Sequence, residues 1–140
     1  MDTIFFRADS SNIIGAGHIY RCINLANFLK KKYKIHFICR KLKGNLIHKI
    51  KSKKFRVFIN YSRINYLHPK IWSKENQIED AEFIKKKLKK KYKLIISDHC
   101  GLGKTWGKEI KNSFVKHLAI DDFKYFNKEC DYYLNYNYST

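Results

Sequence analysis

The stretch Thr3-Ile4-Phe5-Phe6-Arg7-Ala8-Asp9-Ser10-Ser11-Asn12-Ile13-Ile14-Gly15-Ala16-Gly17-His18-Ile19-Tyr20-Arg21-Cys22 decides the fold. It opens with a short apolar run, crosses a polar loop holding two glycines, and enters a segment where Ile19, Cys22, Ile23, Ala26 and Leu29 recur at helical spacing. That order predicts a strand from about Thr3 to Arg7, a loop from Ala8 to Ala16, and a helix from about Gly17 to Lys32. The same alternation continues outward. Strands are expected at about Ile35 to Arg40, Arg56 to Ile59, Leu94 to Ser97, Val115 to Ile120 and Tyr132 to Leu134. Helices are expected near Asn45 to Ser52, from Glu75 to Lys91, and from Gly101 to about Ser113. The nearly uniform apolar run at Leu94 suits a central strand covered on both faces. Strands alternating with helices call for an α/β fold, a parallel sheet with helices on both faces and Rossmann-like in plan. Ligands of such sheets bind at the carboxyl ends of the strands. Those ends carry Arg7, Asp9, Arg40, Asp98, His99, Asp121 and Asp122.

The chain has 140 residues, 30 Lys plus Arg against 12 Asp plus Glu, and a formal charge of +18. With 44% hydrophobic and 16% aromatic residues it is rich enough in apolar side chains to build one packed domain, which excludes disorder and collagen-like repeats. Apolar runs such as Ile4-Phe5-Phe6 fall far short of the ~20 residues that cross a bilayer, so no membrane association is expected. The acid in Met1-Asp2-Thr3 stands where a secretory leader needs basic residues, and a cytoplasmic location is the expectation. Cys22, Cys39, Cys100 and Cys130 form no C-x-x-C pair, so neither a zinc ribbon nor a redox motif is expected, and no cofactor or metal.

The charge raises the question of nucleic acid. Only Arg7, Arg21, Arg40, Arg56 and Arg63 are arginine, the side chain suited to bidentate contacts with bases and phosphates. The lysines gather at Lys30-Lys31-Lys32 and from Lys85 to Lys91, at helix carboxyl ends, where cations meet the negative end of the helix dipole. Nucleic acid is therefore an unlikely partner. The rival function is a non-catalytic basic module that holds a polyanion or an acidic partner.

Two nucleotide motifs fail on their spacing. A dinucleotide fingerprint beginning at Gly15 needs glycine where Tyr20 stands, and Arg40-Lys41 replaces the acidic ribose partner. Gly101-Leu102-Gly103-Lys104-Thr105 ends like a P-loop, but Asp98 occupies the place of its first glycine. His18 is the most informative titratable residue. At a helix N-terminus its ring faces the positive end of the dipole, which favours the uncharged, proton-accepting form that a general base requires. Gly15 and Gly17 beside it would leave backbone N–H groups bare for an anionic or sugar ligand. His99 reads as structural or substrate-orienting, and His36, His48, His68 and His117 as surface or strand-flanking residues.

The run from Phe6 to Cys22 resembles the opening R-A-D-x-S-x-x-I-G-x-G-H-x-x-R-C of the UDP-2,4-diacetamido-2,4,6-trideoxy-beta-L-altropyranose hydrolases of pseudaminic acid biosynthesis. Phe37-Ile38-Cys39-Arg40, Asp80-Ala81, Ser97-Asp98-His99 with Gly101-Leu102 and Trp106, and Ile120-Asp121-Asp122 with Cys130-Asp131 follow in the family's order. The resemblance therefore covers nearly the whole chain. It departs at Cys100, where the family usually has tyrosine, and at Gly103 and Gly107, where it has acids. Phe126 stands in place of an arginine, and Asn135-Tyr136-Asn137 in place of Asp-Gln-Asn.

The resemblance implies a hydrolase that releases UDP and the free sugar, on a two-domain scaffold similar to that of GT-B glycosyltransferases, without a catalytic metal. It implies that His18 is the base that activates water at the anomeric carbon. Asp9, Ser11, Gly15, Gly17, Arg21, Asp98, His99 and Asp122 are the expected substrate contacts. The family runs to roughly twice this length. Residues 1–140 are thus expected to be the N-terminal domain alone, without the nucleotide-binding one. A separate polypeptide carrying that second domain is an expected partner, and the isolated chain is expected to be impaired.

Overall fold

A computed structural model describes residues 1–64, 71–121 and 128–135. Its elements run β1 (Thr3–Ala8), α1 (Gly17–Leu29), β2 (Lys34–Arg40), α2 (Ile47–Ser52), β3 (Arg56–Asn60), α3 (Lys74–Lys87), β4 (Tyr92–Asp98), α4 (Lys104–Ile110), a 3-10 turn (Lys111–Ser113), β5 (Phe114–Asp121) and β6 (Tyr132–Asn135). The six strands form one sheet in the order β3-β2-β1-β4-β5-β6, and each neighbouring pair is parallel. This is the α/β, Rossmann-like architecture that the alternation of apolar runs predicts.

The alternation of side chains along β1 feeds two cores. Phe6 points to the layer of α1 and α2, with Ile19, Cys22, Ile23, Ala26, Phe37 and Ile50. Phe5 points to the layer of α3 and α4, with Ala81, Ile84, Ile95, Trp106 and Ile110. Phe6 stacks on Phe37 with centroids 5.1 Å apart, and Phe5 meets Tyr92 and Phe114 edge-on. Burying each such ring contributes about 1.5–3 kcal/mol. β1 and β4 lie at the centre of the sheet, which is why their sequences are apolar on both faces.

The helices stop earlier than the charge pattern suggests. α1 ends at Leu29, and α3 ends at Lys87 because Leu88 turns extended and packs against the α3–α4 core. Beyond Leu88 no apolar residue of the helical series is left to bury, and exposed lysines alone do not sustain a helix. At its other end α3 is capped by Ser73, whose side chain accepts from the Asn76 N–H. Among the described residues no helix is long and apolar enough to cross a membrane.

The strand order reverses direction between β1 and β4. Connections leave those two neighbours toward opposite halves of the sheet, and the carboxyl ends of such a pair are where parallel sheets of this kind form their ligand crevice. Ala8 pairs with Asp98 in register, which brings the ends of both strands level at that crevice.

Candidate active site

The loop after β1 is held by its own serines. Ser11 Oγ accepts from the N–H groups of Ile13 and Ile14 at 3.1 and 2.8 Å, and the Ser11 carbonyl accepts from Gly15 N at 2.8 Å. Ser10 Oγ accepts from Leu46 N, and Asn12 N donates to the Lys43 carbonyl, tying the loop to the start of α2. Gly15 adopts φ +85°, a left-handed conformation that glycine takes without steric cost. A side chain added at Gly15 or Gly17 would meet no atom within 4 Å, so the loop opens outward at both. Ala16 offers α1 no side-chain cap and its first turn carries no acid, so the positive end of the helix is left electrostatically uncompensated.

His18 and Arg21 are three residues apart on α1 and therefore on one helical face. Both reach Asp98 at the end of β4. His18 Nδ1 lies 2.5 Å from Asp98 Oδ1; Arg21 donates through Nε to Oδ2 at 2.5 Å and through Nη2 to Oδ1 at 2.7 Å. Asp98 is fully buried, while the His18 side chain is 20% exposed and that of Arg21 28%.

This geometry corrects the expectation that the helix dipole keeps His18 uncharged. Burial does push the imidazole down, but the hydrogen bonds to Asp98 and Cys100 and their charge outweigh it, raising His18 to about 9. A carboxylate in hydrogen-bond contact acts more strongly than a partial charge at a helix end. His18 is thus mainly imidazolium at neutral pH, and becomes a proton acceptor only as the pH approaches 9.

Behind it lies a buried ionic network that sequence reasoning missed. Arg7, fully buried, donates to both oxygens of Asp9 at 2.7 and 3.0 Å and to both oxygens of Asp80 at 2.6 and 3.0 Å. Asp9 also accepts from the Arg40 backbone N–H and from His99 Nε2, each at 2.7 Å. Asp80 accepts from Arg40 Nη2 and Trp106 Nε1, both at 3.0 Å. Each carboxylate receives four hydrogen bonds, the full complement of its lone pairs. Burial works against ionisation of Asp9 and Asp80, yet Arg7, joined by His99 at Asp9, holds both below the usual carboxylate range.

Two expected contacts are therefore not surface groups. Asp9 is 1% exposed with every lone pair used, and His99 is 3% exposed. Burial pushes His99 down to about 4, so its ring is neutral. Its Nε2–H donates to Asp9 and its Nδ1 accepts from Gly101 N at 2.9 Å, which leaves no nitrogen for proton transfer. The pair ties the loop after β1 to the loop after β4. Asp98, likewise sealed, holds His18. Asp122 lies outside the described residues, as does His68. His48 is exposed as expected, whereas His36 and His117 are buried within strands, His117 between Ser97 Oγ and the Glu129 carbonyl.

The P-loop-like glycines have other employment. Gln77 Oε1 accepts from Gly103 N and Trp106 N, and Gly101 lies so close to the Trp72 indole that any Cβ would collide with it. Lys128, nearly buried, donates to the His99 and Leu102 carbonyls and lies 3.6 Å from Asp121. Asp80 could have been found from sequence: an acid among the apolar positions of an amphipathic helix needs a buried cation, and Arg7 ends an apolar strand.

No family model matches the chain. It is 33% identical over 135 residues, 96% of its length, to the UDP-2,4-diacetamido-2,4,6-trideoxy-beta-L-altropyranose hydrolase of Campylobacter jejuni. The chain spans 41% of that curated relative's length.

Proposed function

We propose that this chain is the water-activating domain of a UDP-sugar hydrolase, acting on UDP-2,4-diacetamido-2,4,6-trideoxy-beta-L-altropyranose in pseudaminic acid biosynthesis. The observation that carries the reading is the His18–Asp98 contact at the crevice between β1 and β4. With Nδ1–H donated to Asp98, the tautomer is fixed and the basic lone pair of the neutral ring is on Nε2. His18 takes a proton from water as the oxygen attacks the anomeric carbon from the face opposite the diphosphate. The bond from that carbon to the diphosphate oxygen breaks, and its electron pair leaves with UDP. The free sugar departs, and Asp98 stabilises the imidazolium that His18 has become, as an aspartate does behind a catalytic histidine elsewhere.

Gly17 and the uncapped first turn of α1 supply N–H donors on the sugar side, while Gly15, whose own N–H is taken by the Ser11 carbonyl, leaves the turn open and Ser11 shapes the loop; Asp122 is a further sugar contact that the resemblance implies. The groups that stabilise the departing diphosphate are expected, as the resemblance implies, on a second, nucleotide-binding domain. The 140 residues alone are therefore expected to turn over slowly, because base catalysis contributes only about 10²–10⁴-fold of an enzyme's acceleration. UDP release from the UDP-sugar is the test, on this chain alone and joined to a nucleotide-binding domain. Slow or absent release by the first and His18-dependent release by the second are expected. Release by the joined form that survives His18→Ala would overturn the assignment.

A further inference from the structure

Asp98 is fully buried, so water screens its charge little and the groups nearest to it feel it most. From α1 these are His18, Arg21 and, with Sγ 4.0 Å from Oδ2, Cys22. Burial holds the Cys22 thiol far above its ordinary value, so it brings no charge. The loop after β4 brings Cys100 against the His18 ring. Among the described residues Arg21 is the one permanent cation hydrogen-bonded to Asp98; Lys128, held by the His99 and Leu102 carbonyls and near Asp121, acts on Asp98 and Cys100 at longer range. Its Nη2 shares Asp98 Oδ1 with His18 and lies 3.2 Å from Nδ1. Both nitrogens are donors toward Oδ1 and cannot bond one another. When His18 is protonated, two cations are crowded against one carboxylate; when it is neutral, the charges of Arg21 and Asp98 balance.

We propose that Arg21 is a positioning residue: its two hydrogen bonds to Asp98 and its approach to Nδ1 hold the ring orientation while opposing its protonation, so that more of the His18 ring is neutral than Asp98 alone would allow. This deepens the hydrolase reading and rests on His18 being its base. The fork of an arginine suits the place, since it spans both carboxylate oxygens from the solvent side of the helix, where a lysine would satisfy one.

The test is an NMR titration of the histidine rings in the full 140-residue chain, compared among wild type, Arg21→Gln and Arg21→Lys. Arg21→Gln removes the charge that offsets Asp98, and the His18 midpoint is expected to rise by about one unit, a tenfold loss of neutral ring at a given pH. Arg21→Lys keeps a charge but one contact, and is expected to rise by about half as much. The His36 and His117 signals, from rings buried elsewhere in the sheet, report that each variant is folded. A His18 midpoint that is unchanged or lower in folded Arg21→Gln overturns the proposal. Should that variant fail to fold, an unchanged midpoint in Arg21→Lys does so. The titration needs no turnover: failure to release UDP would sink the hydrolase reading and leave this result standing, and an unmoved midpoint would do the reverse.

Discussion

Nδ1 of His18 and Oδ1 of Asp98 lie 2.5 Å apart, joining the first turn of α1 to the end of β4 across the sheet's point of reversal. The contact fixes the ring's tautomer and raises its proton affinity together. A base held in this way is well oriented but mostly occupied at neutral pH.

The first consequence is a pH profile. With His18 at about 9, the neutral fraction rises about tenfold per unit until the pH approaches that value. For the chain joined to a nucleotide-binding domain, kcat/KM for UDP release should climb through pH 7 and 8 and level near 9. Because kcat/KM titrates with the free enzyme, a profile already flat at pH 7 would mean that another group takes the proton.

Replacing Asp98 separates its two effects. Asp98→Asn removes the negative charge, and the His18 midpoint should fall toward the ordinary 6.5, because burial is then opposed by Cys100 alone. More of the ring is neutral at pH 7, yet kcat should drop by a factor of about 10² or more, since the asparagine can impose the wrong tautomer and leaves the imidazolium unstabilised. Histidine NMR and UDP release measured on one preparation check both halves.

Much of this arrangement is legible in the residues themselves. The parallel sheet follows from β1, where Ile4, Phe5 and Phe6 feed both cores, and from the helical recurrence of Ile19, Cys22, Ile23 and Ala26. The strand-end rule gathers Arg7, Asp9, Asp98 and His99 at the carboxyl ends of β1 and β4. What periodicity cannot give is which of these face solvent. Asp9 and His99 read as wall residues because each is polar and ends a strand. Their burial depends on Arg7 being folded inward to meet Asp80, 73 positions away in the chain. The protonation of His18 was misread for a related reason: the helix dipole is visible in a local sequence, whereas Asp98 reaches the ring only once β1 and β4 pair.

That network sets the stability. Asp80→Ala would leave Arg7 buried with half of its carboxylate partners gone, and should cost about 3–5 kcal/mol. An unfolding free energy, extrapolated from urea, lowered by less than a third of that would show that Asp9 alone neutralises Arg7.

The same groups give stability a pH dependence of definite sign. Asp9 and Asp80 are depressed on folding, so their contribution is present above the ordinary carboxylate value of 3.8 and lost as pH falls below it. His99 and His117 are pushed from 6.5 down to about 4, so the unfolded chain binds more protons across that interval and stability declines on going from pH 6.5 to 4. His18 acts oppositely: raised to about 9, it stabilises below 6.5 and ceases to do so as pH rises through 9. Urea unfolding from pH 4 to 9 should therefore show greatest stability near pH 6 to 7, and Asp98→Asn should flatten the alkaline limb alone.

The two loop glycines should part company when substituted. Gly15→Ala places a Cβ on a backbone at φ +85°, at a cost of about 1–2 kcal/mol although no atom obstructs it. Gly17 has no such conformation, and its added methyl would meet open space, so Gly17→Ala should stay within about 0.5 kcal/mol of the parent in urea unfolding. If Gly17 is nevertheless a substrate contact, its methyl group occupies the room beside His18 that the sugar needs. KM for the UDP-sugar should then rise in the joined enzyme while stability is unmoved. Unchanged kinetics in Gly17→Ala would remove the helix start from the sugar site and leave His18 to meet its water from another side of the crevice.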